Sequence, residues 1–139
     1  MEHYVNLLNE FLELFEEMIL VEKEKRDVVI AHDLLRLEDL MKKEQAGIMK
    51  IRGMEQRRIR MQNDLGFGDK TFQVLLQEVS DEERLRLTPI FRKLEDAIRR
   101  FRVTNESTSQ VIETALHDLN TKFGQEDAAA PITLSSRTV

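Results

Sequence analysis

The sequence predicts an all-α fold, an elongated antiparallel three-helix coiled-coil-like bundle with one short extra helix and a disordered C-terminal tail. Three observations carry this reading. Apolar residues recur at alternating steps of three and four along most of the first 123 positions. Breakers are scarce, with 5 Gly and 2 Pro in 139 residues. One breaker cluster stands out, Leu65-Gly66-Phe67-Gly68-Asp69. A chain of this length buries roughly 70% of its unfolded surface, enough for one independent core.

The first helix is expected over 2–31. Its seam runs Tyr4, Leu8, Phe11, Phe15, Met18 and is widened by Val5, Leu7, Leu12, Leu14 and Ile19. That is the broad apolar face of a buried amphipathic helix. The pattern thins through the charged stretch Glu22 to Asp27 and ends near His32, where Asp33 is the expected N-cap of a second helix over 34–64. Each of these helices would span about 45 Å at 1.5 Å per residue. The His32-Asp33 connection suits an antiparallel turn. Helix two carries Leu34, Leu37, Met41, Ile48 and Ile51, with Glu44 and Glu55 interrupting the seam and Gly47 and Gly53 inside it.

Beyond the glycine break, Thr71 to Val79 reads as a short docked helix. Ser80-Asp81-Glu82-Glu83 spells a capping box. The last helix, expected to reach Phe123, has the cleanest period: Leu87, Phe91, Leu94, Ile98, Phe101, Asn105, Thr108, Ile112, Ala115, Leu119. Thr88-Pro89 is the expected place for a break or kink. From Gly124 to Val139 large apolar residues are few, so we read 1–123 as the folded domain and 124–139 as a flexible tail.

Composition excludes several classes. There is no Cys, which removes disulfide scaffolds and thiolate zinc sites. The longest apolar runs, Met18 to Val21 and Val28 to Ala31, fall far short of the ~20 residues of a spanning helix. No basic and apolar leader pattern opens the sequence, so a cytoplasmic protein is expected. A net charge of −5 weighs against a general nucleic-acid binder. The clusters Arg57-Arg58-Ile59-Arg60 and Arg99-Arg100-Phe101-Arg102 lack the aromatic interleaving of a single-strand site.

Catalytic patterns are weak. His32-Asp33 and His117-Asp118 resemble half of a metal phosphohydrolase site, but further His and Asp ligands at suitable spacing are missing. Gly66-Phe67-Gly68 lacks a third glycine and a preceding strand, and Ser107, Thr108 and Ser109 have no evident His and acid partners. The expectation is a non-enzyme without cofactor or metal. Asn105 and Thr108 are more informative, because polar residues at seam positions fix helix register or mark where a seam turns to a partner.

These elements together resemble the FlgN family of flagellar export chaperones. The resemblance rests on the break LGFGDKTFQVLLQEVSDEERLRL and on the last-helix segment NESTSQVIETAL. There the family carries Asn-x-x-Asn followed by paired apolar residues. Asn105 matches the first Asn, Thr108 replaces the second, and Val111 and Ile112 match the pair. Phe123-Gly124 matches an aromatic-Gly pair found in some members, with Phe in place of Tyr.

The resemblance implies a non-enzymatic holdase for hook-associated flagellar proteins of the hook-filament junction (FlgK- and FlgL-like). It would mask their amphipathic terminal helices and deliver them to a component of the export gate. The expected client surface is Asn105, Thr108, Val111, Ile112, Ala115, Leu116 and Leu119, on a last helix whose excess length projects past the His32-Asp33 turn. The expected export-docking residues are Phe123 and Gly124. The alternatives are an oligomeric coiled-coil adaptor or scaffold, which could be a homo-oligomer, and a filament-cap-type flagellar chaperone.

Overall fold

The computed structural model describes residues 1–126, except for the side chains at 119, 120 and 122–126. The order is α1 (Glu2–Ile30), α2 (Leu34–Asp64), α3 (Phe72–Glu78) and α4 (Asp81–Glu126), with no strand among the described residues.

Each junction is closed by a local hydrogen-bond device. After α1 the chain turns through His32 at φ 58. The His32 N–H donates to the Val29 carbonyl (3.1 Å) and the Asp33 N–H to the Val28 carbonyl (2.9 Å). This is a Schellman closure with histidine where glycine is usual. Asp33 then caps α2 as expected, its Oδ1 accepting from the Arg36 N–H at 3.1 Å. The far end of α2 closes in the same way, through Gly66 at φ 88, with the Phe67 N–H on the Gln62 carbonyl at 2.8 Å. Thr71 Oγ1 caps α3, and Ser80 Oγ accepts from the Glu83 N–H at 3.2 Å at the start of α4.

Two expectations are corrected. α4 does not break at Thr88-Pro89 but runs through it. Proline removes the donor that would reach the Leu85 carbonyl, yet Pro89 and Leu85 both lie on the solvent face, so the lost bond is not one inside the core. Meanwhile the buried neighbours Leu87 and Phe91 hold the helix down. Nor does α4 end at Phe123: its backbone is helical through Gly124 to Glu126. Of the expected tail, residues 127–139 lie outside the described residues.

α1 packs against both α2 and α4. Its contacts with α4 ascend together: Tyr4 with Phe91, Phe15 with Phe101, Glu22 with Thr108. Its contacts with α2 run in opposition: Tyr4 with Gln62, Glu10 with Arg57, Lys25 with Glu44. α3 lies on α4 and buries Leu75. Phe72 stacks on Phe91 at 4.1 Å and carries the Arg58 guanidinium 5.2 Å above its ring. Gln62, wholly buried, ties this end together: it accepts from the Tyr4 hydroxyl at 2.7 Å and donates to the Gly68 and Lys70 carbonyls. Burial pushes the Tyr4 phenol up to about 12, so it stays a neutral donor.

The two helical glycines of α2 have opposite meanings. A Cβ on Gly47 would fall 2.0 Å from Met18 Sδ, whereas one on Gly53 meets nothing within 4 Å. Met18 is buried among core side chains, so its thioether end must shift within the core to admit a methyl. We predict that Gly53→Ala raises stability by about 1 kcal/mol, the helix-propensity gain. Gly47→Ala should lower it by about 1–2 kcal/mol through overpacking. Denaturant melts of the two variants check this, and an equal gain in both would show that α1 and α2 are not in close approach at Gly47.

Candidate functional site

Between Glu22 and Lys25 the helices meet across charge rather than hydrocarbon. Glu22, Lys25 and Glu44 are all fully buried. The Lys25 ammonium donates to Glu44 Oε2 at 2.5 Å and lies 3.7 Å from Glu22 Oε2. Burial raises the Glu22 pKa, with Lys25 and the Asn105 side chain pulling the other way. Burial lowers that of Lys25, opposed by Glu22. α4 completes the layer: Thr108 Oγ1, also fully buried, donates to the Glu22 backbone carbonyl at 3.0 Å.

This layer divides the core. On the Tyr4 side lies the large cluster formed by Phe11, Phe15, Phe91, Phe101 and their neighbours. On the turn side lies a small one of Val29, Leu37, Met41 and Ile112, against which Val28, Val111, Ala115 and Leu116 pack half-buried. Beside the small cluster a groove of about 610 Å³ opens between the end of α1 and α4, lined by residues that include Val29, Ile30, His32, Val111, Ala115 and Asp118. Ile30, Leu34 and Leu35 are exposed at the turn, at 61%, 54% and 80%.

The seven residues expected to form one projecting surface are therefore split. Asn105 lies beside the Glu22 carboxyl, and Thr108 and Ile112 are buried inside the chain. Val111 and Ala115 line the groove, and Leu116 packs at the small cluster. The Leu119 side chain, like that of Phe123, lies outside the described residues. The expected projection of Val111 onward past the turn, with Asn105 and Thr108 where the seam leaves the core, is corrected by helix offset. Phe15 stands beside Phe101, so Ile30 is level with about residue 116, and only the last ~15 Å of α4 extends beyond it at 1.5 Å per residue. The rest of the excess falls at the other end, where Arg86 pairs with Glu2.

Val29, Ile30 and His32 were not singled out from sequence as site residues. They follow only once the end of α1 is placed against α4. Of the two His-Asp dipeptides, the groove takes His32 from one and Asp118 from the other. Among the described residues no group of three or more His, Cys, Asp or Glu could hold a metal, and no helix is long and apolar enough to cross a membrane. The arginine clusters are met by acids: Arg57 by Glu10, Arg58 by Glu55, Arg100 by Glu16 and Asp96.

Residues 1–122 match the family model described as FlgN protein. No curated protein and no solved structure matches the chain.

The buried layer makes a pH prediction. A carboxyl whose pKa is raised by folding binds more protons folded than unfolded. Its contribution to stability is therefore largest below the ordinary carboxylate value and is lost as pH rises through the raised folded pKa. Glu22→Gln removes that titration and leaves Lys25 paired with Glu44. Thermal melts of both proteins between about pH 4.5 and 8 should show Glu22→Gln gaining on the wild type as pH rises. A difference independent of pH would mean that Glu22 is not desolvated.

Proposed function

The chain belongs to the FlgN family of flagellar export chaperones, and on that premise we propose that it binds hook-filament junction proteins of the FlgK and FlgL type in the cytoplasm. It masks their amphipathic terminal helices and delivers them to the export apparatus. The observation that carries this is the groove at the turn end, where the apolar seam of α4 surfaces beside exposed Ile30, Leu34 and Leu35. An amphipathic helix laid in a groove buries just such a patch. The body that presents it we read as an elongated antiparallel three-helix bundle. Asn105, Thr108 and Ile112 set the position of α4, while Val111, Ala115 and Leu116 face the client, with Leu119 next along the seam. Phe123 and Gly124, one turn further, are the proposed contact with the export gate.

Co-expression with the junction proteins should yield a defined complex, and the chain alone should not form the stable oligomer of a self-pairing scaffold. Ile30→Gln with Ala115→Gln should weaken client capture by at least about tenfold while changing stability by no more than about 1 kcal/mol, since both positions lie at the groove surface. Pull-down and thermal melting measure the two effects. Undiminished capture would remove the groove from the client site. Ile112→Asp is no substitute for this test, because Ile112 is core.

A further inference from the structure

The two halves of α4 are held very differently. Up to Phe101 it contributes Leu87, Phe91, Leu94, Ala97 and Phe101 to a cluster of fifteen buried residues. After Thr108, Ile112 is its one fully buried side chain among the described residues, in a cluster of four. Between the halves stands the Glu22–Lys25–Glu44 layer, where two carboxylates share one ammonium and Glu44 Oε1 has no partner among the described residues. A buried ion pair adds little net stability, and a segment with few buried apolar contacts opens before the rest of the domain. The turn-side segment also borders the groove, so its displacement would enlarge that groove with Val29, Leu37 and Met41.

We propose that α4 beyond Thr108 is a clasp, hinged at the Glu22–Lys25–Glu44 layer, whose release uncovers Val29, Leu37 and Met41 and admits the client helix. The idea deepens the chaperone reading and rests on it for the identity of the client. The groove seen with the clasp closed is the point of entry. The small cluster beneath it is the seat. Thr108 is the latch, since its hydroxyl reaches across to the backbone of α1. A client that inserts here exchanges its own apolar residues for Ile112, so little apolar surface is exposed at any stage.

Hydrogen exchange on the full chain tests the clasp without any client. Amides of 109–118 should exchange at least about tenfold faster than those of 91–101, and Thr108→Val should accelerate 109–118 by roughly fivefold more, as expected for one lost hydrogen bond. The chain has no cysteine of its own, so Val29→Cys with Ile112→Cys gives a lock that intact mass can verify. Oxidised, this variant should associate with the co-purified junction protein at least about tenfold more slowly than the same variant reduced. Equal protection of the two segments overturns the proposal, as does an association rate unchanged by the closed disulfide. Should no junction protein bind wild type, the chaperone reading fails by itself, and the exchange measurement still decides whether the clasp exists.

Discussion

The Lys25–Glu44 pair and its neighbour Glu22 constrain the whole arrangement, because charge buried at the centre of a helical packing has one acceptable alignment. Sliding α2 along α1 by a turn would take Glu44 from the Lys25 ammonium and leave a buried carboxylate without its cation, a loss of about 3–5 kcal/mol for a broken buried pair. Sliding α4 would take the Thr108 hydroxyl from the Glu22 carbonyl and the Asn105 side chain from the Glu22 carboxyl. An apolar seam alone tolerates such slips, since one leucine resembles the next. The polar layer thus supplies alignment where the large cluster supplies stability.

That division of labour has a consequence for a chaperone. Core strength concentrates at the end built from Tyr4, Phe72, Phe91 and Gln62, where α3 and the glycine loop are clamped in place. The turn end, with His32 in the left-handed region and Leu35 open to solvent, is held by four buried aliphatic residues. A protein that masks another protein's helix needs an apolar surface that is neither saturated by its own core nor wide enough to aggregate. A small cluster beside a groove satisfies both conditions.

Much of the fold was legible because capping chemistry is local. Asp33, Gly66, Thr71 and Ser80 all act where residue type and position say they must, and the α4 seam reads correctly from Leu87 to Ile112. The polar layer was hidden. Glu22, Lys25 and Glu44 occupy seam positions, but hydropathy scores each as an interruption, and periodicity within one helix does not reveal which charge meets which across an interface. Pro89 misled for the opposite reason: its local rule is strong, but its solvent-facing position relieves it. The α4 residues expected to project into solvent include Thr108 and Ile112, which are buried, since helix lengths give total excess and not the offset that divides it between the two ends. Phe15 against Phe101 sets that offset.

On the proposed reading, the turn end, and not the clamped end, receives the client. Methyl resonances of the labelled chain, recorded while a junction protein is titrated in, test it most directly. Val29, Ile30, Val111 and Ala115 should shift or broaden first, with Val5, Leu8 and Leu87 unmoved. Perturbation centred on Val5, Leu75 and Leu87, with the groove methyls unchanged, would contradict it.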